Sequence, residues 1–199
     1  MSFIVDPIVE YVECNGYIFR INAAFDTVLS VQKLYREELP DAAKVEQALK
    51  MFIVNKRQVK KLGLQDKVDL LNEIYKQCIN TKQRPTARQQ LPSFDFEEDA
   101  EYIYSSFMLD YGIDLIEQQG ILNWKKFIAL FQGLSEQTKI REVMRIRSME
   151  IPKYNGKNQK QIQQIQELKA YYALPAKGGG GEKGLDALFS ALEAQATRN

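Results

Sequence analysis

Asp95, Glu97, Glu98, Asp99 and Glu101 place five acids within seven residues, and carboxylate oxygens at that density are the ligands of magnesium or calcium sites. A calcium loop spaces its ligands at alternate residues around a central glycine, which this run lacks, and no phosphate-binding loop accompanies it. The charges have a simpler use, because they gather where an amphipathic helix begins and oppose its partial positive end. Asp110, Asp114 and Glu117 form a second acidic group, which reads as surface-placed rather than as the carboxylate pair of a glycosidase, since no such pocket follows from the sequence.

Other chemistry is restricted by what the chain lacks. It contains no histidine, which removes the commonest general base and the Ser-His-Asp and Cys-His routes to an activated nucleophile. Cys14 and Cys78 are too few for a disulfide framework or a four-ligand zinc site and read as reduced thiols. The glycine run in A-K-G-G-G-G-E-K-G is no phosphate loop, since no Lys-Ser or Lys-Thr pair closes it. These residues predict no enzyme, no cofactor and no metal centre. Lys56 to Lys61, K-R-Q-V-K-K, is the most basic short run, but without interleaved aromatics it reads as a solvated loop rather than a phosphate-binding patch.

The elements that carry these groups follow from periodicity. Val12 and Cys14 face Tyr17 and Phe19 across Asn15-Gly16, a pair suited to the two positive-φ positions of a type I′ turn, so a short N-terminal β-hairpin is expected. Two strands alone are marginal in water, which makes Val12, Cys14, Tyr17 and Phe19 candidates for self-association by strand addition. Asn22 is expected to cap a helix from Ala23 to about Leu39, stopped by Pro40. Asp41 should cap a second with Val45, Ala48, Leu49, Phe52 and Ile53 inward, and a third should run from Gln65 to Ile79. Residues 81–92 hold two prolines and no apolar period, and read as a linker between 1–80 and 93–175, two parts that size alone does not separate into domains.

Beyond the linker, Ala100, Ile103, Tyr104, Phe107, Met108 and Tyr111 fall on one helical face, with Gly112 placed for the left-handed stop. Asn123 should cap a helix bearing Trp124, Phe127, Ile128 and Phe131, an aromatic stripe that reads as core. Ser135 or Thr138 should cap one bearing Ile140, Val143 and Met144, with Arg145 and Arg147 at its end. A glutamine-rich helix from Gln159 to Ala173 carries Ile162, Ile165, Leu168 and Tyr172, the spacing of a short coiled-coil seam that suits packing on the chain's own body better than a partner helix. Residues 176–199 read as a flexible glycine tether followed by Leu185, Leu188, Phe189 and Leu192, four residues at helical spacing that form a candidate partner-binding segment. The fold class is therefore mainly α: a compact multi-helix body with a short N-terminal β-hairpin and a flexible C-terminal tether.

Composition agrees with a soluble protein. Of 199 residues, 45% are hydrophobic and 27% charged, and 27 basic against 26 acidic side chains disfavour a dedicated nucleic-acid binder. No apolar run approaches the roughly 20 residues of a membrane span, and M-S-F-I-V-D-P lacks the basic start of a signal peptide. A cytoplasmic protein without membrane contact is expected.

The runs D-F-E-E-D-A-E-Y-I-Y, D-Y-G-I-D-L-I-E and W-K-K-F-I-A-L-F-Q-G-L-S, with R-I-R after them, resemble a family of tail assembly chaperones encoded by long-tailed phages and prophages of Gram-positive bacteria. The resemblance is densest over Phe94 to Arg147 and looser over Asn15 to Ile53. It implies a non-catalytic protein of the host cytoplasm, absent from the finished virion, with the tape-measure protein as client and the major tail-tube protein as a further candidate partner. It also implies that a longer form can arise by frameshifting. In the family the tryptophan often follows a histidine, whereas Asn123 stands here, so no histidine chemistry can be essential at that point. The runner-up reading is a small helical nucleic-acid-binding protein using its basic loops, Lys56 to Lys61 and Lys82 to Arg88.

Overall fold

The computed structural model describes residues 5, 7–80 and 93–175, so the expected linker 81–92, the glycine run and Leu185, Leu188, Phe189 and Leu192 lie outside the described residues. Among the described residues the fold is mainly helical, with seven α-helices and one two-stranded hairpin. The chain divides into two compact units, and neither is a single stretch: residues 7–80 group with Ile116–Leu130, and 93–115 with 131–175.

In the first unit, Asn15 and Gly16 take φ of 49° and 74°, the left-handed values that a two-residue hairpin turn demands. They join β1 (Tyr11–Cys14) to β2 (Tyr17–Arg20) in the register Val12↔Phe19 and Cys14↔Tyr17, as expected. Alternation puts Val12 and Phe19 into the core and Tyr11, Glu13, Ile18 and Arg20 on the exposed face. Helices α1 (Phe25–Arg36), α2 (Asp41–Phe52) and α3 (Leu64–Ile74) pack in succession, α3 against β1. Their fully buried side chains include Val28, Val31, Leu49, Phe52, Leu71 and Ile74.

Three expected boundaries move. Asn22 does not cap α1: its Oδ1 accepts from Ala24 N at 3.1 Å and its Nδ2 donates to Thr27 Oγ1, while Ala24 holds the cap position. Asp41 is the first residue of α2 rather than its cap, because Pro40, which needs no N–H there, takes that place. The expected helix to Ile79 changes hand-spacing after Ile74 into a π turn, Tyr75–Ile79, that seats Tyr75, Cys78 and Ile79 in the core.

Residues from the middle of the chain complete this unit. Phe25 N donates to Leu122 O at 2.9 Å, Trp124 N to Ala23 O at 2.8 Å, and Gly120 N to Asp26 Oδ1 at 2.8 Å. Helix α5 (Trp124–Gln132) starts where Asn123 Oδ1 accepts from Lys125 N at 2.9 Å, the expected cap. Phe127 stacks on Phe25 and Trp124 at centroid distances of 4.8 and 5.7 Å, and Trp124 is buried.

The second unit is built on α4 (Ala100–Tyr111), α6 (Lys139–Ser148) and α7 (Gln159–Tyr171), with α6 between the other two in contact order. Gly112 ends α4 at φ 64°, as expected. The apolar face of α4 is narrower than its spacing predicts: Ile103 and Phe107 are buried, Tyr104 and Tyr111 half-buried, and Ala100 and Met108 exposed. The contact is centred instead on Ser106, whose hydroxyl donates to Tyr102 O and accepts from Ile140 N at 3.1 Å, drawing the start of α6 onto that side.

Candidate interaction surface

The hairpin presents two edges, and tertiary contacts treat them differently. Along β2, Asn55 acts as a short surrogate strand: Arg20 N donates to its Oδ1 at 2.7 Å and its Nδ2 donates to Ile18 O at 2.9 Å. Val54 N donates to Arg20 O at 2.9 Å and Asn22 N to Phe52 O at 2.7 Å, around the bridge between Ile21 and Ile53. This edge is closed. Along β1, the Cys14 thiol reaches Asp66 O and the Cys78 thiol donates to Val9 O at 3.6 Å, so α3 and its π turn touch the two ends of the strand.

Of the expected self-association residues, Val12 and Phe19 are 1% and 0% exposed and serve the chain's own core, while Cys14 and Tyr17 are half-buried. Burial, then the charges of Asp69, Asp66 and Glu73, raise the Cys14 thiol above its ordinary range. Burial pushes Cys78 up to about 11 against the opposing pull of Lys125. Both thiols are therefore poor nucleophiles at neutral pH.

The basic run folds beside the hairpin. Val59–Lys61 forms a 3-10 turn, Asn55 bonds Gln58, and Lys61 Nζ lies 5.8 Å from the centre of the Tyr17 ring. Lys56, Arg57, Lys60 and Lys61 are exposed. The aromatic neighbour that the local sequence lacks is thus supplied by a residue more than forty positions away.

In the second unit the acids do more than oppose a helix dipole. Asp95 and Asp99 are buried: the Asp95 carboxylate accepts from Glu97 N and Glu98 N at 2.8 and 3.2 Å, and Asp99 pairs with Arg147. Asp110, from the other acidic group, accepts from Ser135 N and Oγ at 2.7 and 3.0 Å, and Asp114 from the Tyr104 hydroxyl at 3.2 Å. Among the described residues, no three cysteine, aspartate or glutamate side chains gather to hold a metal ion, and no helix is long and apolar enough to cross a membrane. On the glutamine-rich α7, Ile162, Ile165 and Tyr172 are half-buried while Leu168 is exposed. The helix docks by its last turn, where Lys169 Nζ donates to Arg147 O and Met149 O at 2.5 and 2.7 Å, satisfying carbonyls at the end of α6.

The family model described as Bacteriophage Gp15 protein matches residues 4–174. The chain belongs to that family. The match takes in both units of this Gp15-family protein, including the hairpin, the Asn55 plug and α7. No curated protein and no solved structure matches it.

Proposed function

We propose that this bacteriophage protein is a non-catalytic tail assembly chaperone, which binds the tape-measure protein in the host cytoplasm and assists tail-tube assembly without entering the finished virion. The observation that carries the reading is membership of a bacteriophage family over residues 4–174, together with the acidic-aromatic and tryptophan motifs between Phe94 and Arg147 that resemble such chaperones. Support also comes from what the motif residues do. Asp95, Asp99, Trp124, Phe127 and Arg147 are buried or core-paired, the pattern of residues that hold a binding scaffold together.

Co-expression with the tape-measure protein tests this. Full-length chain should keep the client soluble and co-purify with it, and loss of the residues after Lys177 should reduce recovery while leaving the melting temperature of the body within about a degree, as expected if the glycine-rich sequence before Leu185, Leu188, Phe189 and Leu192 acts as a tether. An insoluble client with no co-purification would overturn the reading.

A second reading has one specific observation behind it. Lys61 over the Tyr17 ring, beside exposed Lys56, Arg57 and Lys60, joins cations to an aromatic as single-stranded nucleic-acid surfaces do. Mobility shift of an oligonucleotide that weakens steeply between two salt concentrations would favour it.

A further inference from the structure

We propose that the protein pairs with a second copy of itself through the outward edge of β1, with Tyr11 and Glu13 exchanging backbone hydrogen bonds about a two-fold axis at Val12.

The hydrogen-bond phase of the hairpin decides which groups face outward. Ile21 N donates to Glu10 O at 2.7 Å, so by alternation the pairs Val12–Phe19 and Cys14–Tyr17 are bonded within the hairpin, and Tyr11 and Glu13 turn their N–H and C=O away from β2. On the opposite edge the Ile18 C=O and both backbone groups of Arg20 are taken by Asn55 and Val54. Among the described residues, nothing bonds the outward groups of Tyr11 and Glu13. A hairpin closed on one side and open on the other can add a strand only once. Two such hairpins meeting edge to edge make a four-stranded sheet with both outer edges plugged by Asn55, a closed dimer rather than a growing fibre.

Charge and existing bonds select the register. Pairing centred on Glu13 would set two carboxylates opposite each other. Pairing centred on Tyr11 would require Val9 O, which already accepts from the Cys78 thiol. Pairing centred on Val12 places Tyr11 opposite the partner's Glu13 and satisfies all the outward groups of both residues. Since Tyr11 lies opposite Arg20 and Glu13 opposite Ile18 within each hairpin, the exposed face then reads Arg20, Tyr11, the partner's Glu13, the partner's Ile18. No like charges are adjacent in that row, and Arg20 and the partner's Glu13 flank the Tyr11 ring about two strand spacings apart, roughly 10 Å. The 56% and 60% exposure of Tyr11 and Ile18 is then partly relieved. The pairing does not depend on any client.

Sedimentation velocity of the full chain across about 1 to 100 µM tests it. The expected result is a reversible monomer–dimer equilibrium with no larger species. Tyr11→Glu sits on the exposed face, leaves the hairpin ladder intact and opposes two carboxylate pairs in the dimer, so it should weaken the dimer at least tenfold. Adding Glu13→Lys to it should restore dimerisation, a rescue that misfolding cannot produce. A parent chain that stays monomeric throughout, or a Tyr11→Glu variant that dimerises as strongly as the parent, overturns the proposal.

Discussion

Arg147 grips the carboxylate of Asp99 with both terminal nitrogens, Nη1 to Oδ2 at 2.6 Å and Nη2 to Oδ1 at 2.7 Å, across 48 positions of sequence. The Asp99 side chain is 1% exposed, and the same guanidinium donates from Nε to Tyr172 O at 2.6 Å and from Nη1 to Ser93 O at 3.1 Å. One planar group thereby joins α6, the turn that leads into α4, and the end of α7. Asp99 in turn accepts from Asp95 N at 2.9 Å, which holds that turn closed.

Arg147→Ala leaves the buried Asp99 carboxyl without its guanidinium partner, and should destabilise the chain by about 3 to 5 kcal/mol. Arg147→Lys should recover only part of this, because an ammonium cannot reproduce the two-pronged contact. Pairing Arg147→Ala with Asp99→Asn should cost less than the two single changes added together. Urea denaturation of the four variants reads these values, and an Arg147→Ala midpoint equal to the parent's would show that the pair contributes nothing.

Trp124 is 1% exposed and stacked with Phe127, so Trp124→Ala should cost about 3 to 5 kcal/mol, as deletion of a large buried aromatic does. Trp124→Phe, which keeps much of the ring, should cost clearly less. A variant that melts with the parent yet fails to bind the proposed tape-measure client would make the indole a contact residue instead.

Cys78 predicts an alkaline loss of stability. Its thiol, at 9.0 when unfolded and about 11 when folded, favours the protonated form in the native state. The associated stability is fully present below pH 9 and is lost as pH climbs through 11, in total ~3 kcal/mol. Tyr35, raised by burial from 10.0 to about 12, adds a similar loss at higher pH, so the comparison must be between parent and Cys78→Ala. The free-energy difference between them should shrink from pH 8 to pH 11, and a constant difference would show that Cys78 ionises freely in the folded chain. At pH 8 the native thiol should also alkylate far more slowly than the denatured one.

Local signals in the sequence determined the hairpin turn, the helix count and most buried faces, because these depend on side-chain period and on residues such as Gly16 and Gly112 that alone tolerate positive φ without strain. Asn123 was legible as a cap and Trp124 as core for the same reason, each being decided within one helical turn. What needed the tertiary structure were pairings between distant residues of ordinary local character. Asn55 carries no mark of plugging the β2 edge, and Ile116–Leu130 none of belonging with the hairpin unit, since both follow from backbone N–H groups meeting side-chain oxygens across 35 or more positions. Asp99 and Arg147 each have a sufficient local explanation in a helix dipole, and only the fold brings their charges together out of water, where a pair outweighs either dipole contact.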